Sequence, residues 1–233
     1  MTVRAHNGSA PGQPPTPFHS PPLVRLLAGL DATATPAPAR PQAGVGERLG
    51  QWLDWTDAIA LSQALNQPPG PTPHSRPTPA ARARAAAALA RVRDDLTRAI
   101  LQDAVVQPAS SDAAELADLA DHRRTAQACQ RSMAAAIGPL RAQLRGLLAA
   151  TSPALAHLAA LDATLEAALG ERERHGLAGV VTRLEQQFRQ AQQAAAPHWR
   201  DSVHQTMQQV LLAELDLRLQ PAQGLLDALG EAA

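Results

Sequence analysis

The sequence predicts an all-α protein: an elongated antiparallel helical bundle or coiled-coil-like assembly, with a proline-rich N-terminal tail and linkers. Three observations predict it. Ala and Leu dominate the 233 residues, whereas Tyr is absent and only 2 Phe occur, so strong helix formers are abundant and strand formers scarce. Apolar residues recur at spacings of three and four from about residue 112 to 219, as along neighbouring helices of a bundle. Fifteen of the 20 prolines lie before residue 80, so helix breakers are concentrated ahead of that long periodic region. No internal repeat of fixed period is visible, which speaks against a solenoid.

Residues 1–19 read as a disordered tail, rich in Pro and poor in apolar side chains. Residues 20–66 read as two N-terminal helices joined by a Pro/Ala-rich linker. In the first, about 20–30, Ser20 is placed to cap and Pro21 to occupy the first helical position, ahead of the stripe Leu23, Val24, Leu26, Leu27 and Leu30. Three turns are marginal alone, so this helix needs a surface to dock on. The second, about 44–66, carries Val45, Leu49, Trp52, Trp55, Ile59, Leu61 and Leu65, and its apolar residues cover more than a narrow stripe. Burial on more than one side is expected.

Residues 67–78 form a proline-rich linker that cannot continue a helix, and residues 79–233 read as a helical bundle domain. Its first helix starts with Thr78 as cap and Pro79 at the first helical position, and runs to about Val106 ahead of Pro108. The next opens at Ser111 and continues to about residue 150, with Gly138-Pro139 expected to kink or break it. Ser152-Pro153 starts a helix ending near Gly170, a further helix covers Leu177 to Phe188, and the last long one starts at Trp199 and is stopped by Pro221.

All 21 basic residues are Arg, matched by 21 acidic ones, and a formal charge of zero argues against global attraction to nucleic acid or anionic membranes. Cys129 is the only cysteine, which excludes an intramolecular disulfide framework and fits a reducing compartment. Residues 1–20 hold a lone Arg4 and no apolar run, so no secretory signal is expected, and no stretch of about 18 apolar residues occurs. These features predict a cytoplasmic chain without a transmembrane segment, associating with a membrane only through a partner.

Residues of catalytic type lack catalytic arrangements. No two of the 8 His have the i, i+4 spacing that aims two imidazoles at one metal from a helix; His198, Asp201 and His204 come nearest, but the outer two diverge round the helix. Cys129 has Arg123, Arg124 and Arg131 near in sequence but no companion acid or oxyanion site, so it reads as an ordinary buried thiol. Asp54 and Asp57 share a helix face at i, i+3 and read as its wet edge or as partners of Arg48. Phosphate-binding glycine loops, nucleophile elbows and zinc-protease helices are absent. No cofactor, metal or catalytic residue is assigned, and the expected class is non-enzymatic.

Contact surfaces are the remaining candidates. Trp52 and Trp55 place two of 3 Trp within one turn, a large apolar area that anchors either a core or an interface. Together with Leu23, Leu26, Leu27 and Leu30 they are the candidate partner-binding residues, the partner being another protein or a second copy of the chain. Over residues 76–98 six Arg face two Asp, and Arg84, Arg91 and Arg98 are candidate phosphate contacts in an alternative, nucleic-acid-associated reading; no interleaved aromatic side chains are present to stack bases. An enzyme of unrecognised type stands third.

The stretch ERLGQWLDWTDAIALSQAL, Glu47 to Leu65, resembles the signature of a proteobacterial family of uncharacterised proteins, a domain of unknown function. The segment from His198 to Leu229 and the LVRLL run from Leu23 resemble the same family. The resemblance implies no activity and no catalytic residue. Members of that family are encoded beside envelope-associated proteins, which implies a cytoplasmic accessory of an envelope-associated assembly.

Overall fold

The computed structural model describes residues 21–30, 53–66, 78–102, 112–194 and 197–231, and for 112–118 and Glu231 the backbone alone. Six helices and no strand are found among them: α1 (Pro22–Leu30), α2 (Trp55–Asn66), α3 (Pro79–Gln102), α4 (Asp112–Thr151), α5 (Pro153–Ala194) and α6 (Trp199–Glu231). The expected tail 1–19 and most of the linker 67–78 lie outside the described residues.

Local chemistry sets the helix starts. Thr78 caps α3, its Oγ1 accepting from the Ala81 N–H at 3.2 Å, with Pro79 at the first helical position where it loses no hydrogen bond. Ser152 does the same for α5, accepting from the Leu155 N–H at 3.3 Å ahead of Pro153. At α1 the expected cap moves by one residue: the Pro21 carbonyl accepts the Arg25 N–H at 3.2 Å, so Pro22 takes the first helical position, and Ser20 is outside the described residues. His198, in the left-handed region at φ 61°, turns the chain into α6 and accepts the Ser202 N–H on its carbonyl at 3.2 Å.

At three places where a break was expected, the helix continues. α4 runs unbroken through Gly138-Pro139, α5 joins the two helices expected on either side of Gly170 to Gly176, and α6 passes Pro221 to Glu231. Packing explains the difference. An internal Pro costs about 3 kcal/mol, whereas each fully buried Leu contributes about 1.5–3 kcal/mol, and beyond Pro221 the continuing helix buries Leu225 and Leu229. In α5, Gly170, Gly176 and Gly179 each cost about 1 kcal/mol, but continuity places Leu177, Val180, Val181, Leu184 and Phe188 in the core. With 40 and 42 residues, α4 and α5 each extend about 60 Å.

α4 and α6 pack against each other, α5 lies on both of them, and α3 also contacts both. α3 runs antiparallel to α6: Arg82 meets Gly230 at one end, and the Gln208 side chain donates to the Leu101 carbonyl at the other. Two apolar clusters fill the bundle. One joins the C-terminal half of α3, the middle of α4 from Ala126 to Ile137 and α6 from Met207 to Leu219 to the C-terminal half of α5, around Met133, Val210 and Leu211. The second, around Leu144, Leu148 and Leu229, joins the opposite halves. α1 lies on α5 and α6, and α2 on α5.

A candidate docking surface on the outer helices

α2 begins with a reciprocal cap. Asp54 accepts the Asp57 N–H on Oδ1 at 2.7 Å, and Asp57 accepts the Asp54 N–H on Oδ2 at 3.3 Å, the acidic form of a capping box. The Asp57 N–H holds the Asp54 carboxyl below its usual range, helped by Thr56 and by the Arg172 guanidinium of α5, against a smaller opposing effect of desolvation. The two carboxylates read from sequence as a wet edge are therefore the start signal of a helix. Instead of one helix over 44–66, a new helix begins at Trp55; residues 44–52, including Trp52, lie outside the described residues.

Packing on α5 decides which face of α2 turns inward. Ala64 is buried and Leu53, Asp57 and Leu61 are half-buried on the side toward α5. Trp55, Ile59 and Leu65, within about 120° of one another at 100° per residue, point outward with exposures of 81, 41 and 57%. Burial on more than one side is not what these residues show: α2 has one seated face and one apolar face in solvent.

α1 is seated the other way round. Leu23 and Leu27, one turn apart, are buried at 3 and 8% exposure in the main cluster; Leu26 and Leu30 pack against it, and Val24 stays half exposed. Beside α1 a groove of about 1040 Å³ runs along α5. Leu23, Val24 and Leu27 form one wall, Leu169, Leu177, Val180 and Leu217 the other, and Glu171 to His175 the charged rim. Since Arg172 belongs to that rim and acts on Asp54, the start of α2 stands near the same groove.

The remaining residues singled out in the sequence fall elsewhere. Arg84, Arg91 and Arg98 are exposed along α3, seven residues apart, and Arg98 is paired with Asp95 at 3.0 Å. Cys129 is buried in the main cluster, while Arg123 turns to Glu185 and Arg124 to Asp121. His198 is exposed, 3.8 Å from Asp201, whereas His204 turns to His122 with ring centroids 6.2 Å apart, and His122 rests 5.1 Å from Phe188. Among the described residues no three His, Cys, Asp or Glu converge as metal ligands would.

A family model described as "Protein of unknown function (DUF3348)" matches residues 10–231. The chain belongs to this family. No curated protein and no solved structure matches it. Among the described residues of this DUF3348 chain, no helix is long and apolar enough to cross a membrane.

Two polar networks in this DUF3348 chain were not singled out from its sequence. Between α4 and α5, Arg141 grips Asp162 with Nε at 2.8 Å and Nη2 at 2.6 Å, and Arg145 donates to Asp162 at 3.0 Å and also to Glu166. Burial disfavours the charged form of Arg145, but its bonds and attraction to Glu166 and Asp162 outweigh that and raise its pKa. A signal existed: an Arg pair and an acid pair, each at i, i+4, are almost equidistant from the Ser152-Pro153 turn. In the second network Glu214, fully buried, accepts from Arg218 at 2.8 Å and from Gln130 at 3.0 Å, while Gln130 also reaches the Leu177 carbonyl at 3.0 Å. Between these networks Gly138, Gly170 and Pro221, one from each helix, border a cavity of about 310 Å³. Its arginines Arg141, Arg174 and Arg218 already have carboxylate partners, so the arrangement ties three helices together instead of presenting unpaired positive charge.

Proposed function

We propose that this chain is a non-enzymatic helical adaptor that docks another protein, or a second copy of itself, through the outer helices. One observation supports this above the others: α2 is apolar on two opposite faces, and among the described residues only one of them is seated. Trp55, Ile59 and Leu65 form an exposed ridge on a helix whose other side packs on α5, and clustered exposed apolar side chains of this size mark contact sites. We place the protein in the cytoplasm, where its single thiol stays reduced, as an accessory of an envelope-associated assembly.

Substituting Trp55 with a photo-cross-linking amino acid in the native cell tests the reading. It should give one reproducible protein adduct, absent when the same group replaces Ala81 on α3. Irradiation that yields only uncross-linked monomer sinks the proposal.

A second reading, nucleic-acid association, has the exposed stripe Arg84, Arg91 and Arg98 in its favour. Under it, reversing these three charges abolishes retention of DNA or RNA at low salt; wild-type protein that retains neither removes the reading.

A further inference from the structure

α1 is attached to the bundle as a bound peptide would be. It is nine residues long, it buries Leu23 and Leu27 against α5 and α6, and among the described residues no side-chain hydrogen bond or ion pair ties it there. A helix of nine residues does not hold its shape in water, so α1 is helical only while seated. The gain from two buried and two partly buried leucines is opposed by the cost of ordering nine residues, so occupancy of the seat is reversible.

The chain between the seat and the rest of the protein is long. Residues 31–54 separate α1 from α2, and 24 residues span up to about 80 Å, more than the length of any helix here. By chain length alone, α1 can reach the seat of a neighbouring copy as well as its own. The seat is also wider than its occupant: the adjoining groove has apolar walls and takes in the half-exposed Val24.

We propose that α1 is exchangeable between copies: the seat on α5 and α6 accepts α1 of a second copy of this chain, and exchange links the two. The tether gives the chain's own α1 an effective concentration of about millimolar, so isolated chains close on themselves and linked chains form where copies are crowded together. The linkage uses no contact absent from the single chain. It is independent of the Trp55 ridge, so its failure leaves the docking reading of α2 untouched.

Full-length L23E/L27E, whose own α1 cannot seat, is the test protein, and a fluorescent peptide of residues 20–31 is the probe. The peptide should bind the variant saturably and wild type at least tenfold more weakly, because the resident α1 competes. The peptide carrying both Glu substitutions should bind neither. In sedimentation equilibrium, wild type should form dimers with rising concentration, and L23E/L27E, whose α1 can seat in neither copy, should dimerise at least tenfold more weakly. A variant with wild-type helix content that does not bind the peptide at millimolar concentration overturns the proposal. So does equal binding to wild type and variant, dimerisation unchanged by the substitutions, or wild type that stays monomeric at millimolar concentration.

Discussion

Replacing Asp162 with Ala isolates the strongest polar contact between α4 and α5. The substitution removes both bonds from Arg141 and the one from Arg145, leaving guanidiniums of 12 and 19% exposure with Glu166 as their remaining acid partner. Breaking a fully buried pair from one side costs about 3–5 kcal/mol, because the surviving charge stays desolvated. Here Glu166, itself 36% exposed, still serves both arginines and solvent reaches the cluster, so we expect about 2–3 kcal/mol. For a chain of this length that is a fall in Tm of roughly 5–10 °C. Urea unfolding and thermal melts followed by helix circular dichroism measure it. The double variant R141L/D162L should recover most of the loss, since removing both partners also removes their desolvation. A loss below about 0.5 kcal/mol in D162A, or a double variant no more stable than the single one, would refute the reasoning.

Three further outcomes are expected. E214A leaves Arg218 without its carboxylate and Gln130 without one acceptor in a fully buried position, and should cost about 3 kcal/mol in urea unfolding; E214Q, which keeps an acceptor, should cost less. G170A and G176A, where an added Cβ meets nothing within 4 Å and the backbone is helical, should each raise stability by about 0.5–1 kcal/mol, and a loss on either would contradict the unbroken α5. The cap at Asp54 carries a pH dependence: its folded pKa lies below the unfolded one, so its stabilisation is present above the unfolded value, near 4, and fades as pH falls through the lowered one. Hydrogen-exchange protection of the α2 amides should therefore fall in D54A at pH 6, and the difference from wild type should shrink as pH falls through the lowered pKa, with no difference at pH 6 counting against the cap.

The all-α class was legible because it depends on residue type and period, both written locally. Thr78-Pro79 and Ser152-Pro153 were legible for the same reason: a hydroxyl cap and a proline in the first turn act within four residues of chain. The leucines of α1 were visible as a stripe, but α5 and α6 as its seat were not. Asp54 and Asp57 were visible as a pair on the wet edge of a helix, but their bonds to the backbone of their own helix start were not, since these depend on where that helix begins.

Composition and spacing alone therefore determined that this chain forms long amphipathic helices, where several begin, and which side chains can enter a core. Tertiary structure decided where the helices do not end. At Gly170, Gly176 and Pro221 local propensity favours a break by about 1–3 kcal/mol per residue, and the burial of leucines and valines beyond each point outweighs it. It also decided the outward face of α2. Both faces are apolar, and the packing of Ala64 toward α5 turns Trp55 to solvent, a choice between near-equal alternatives that no local pattern can make.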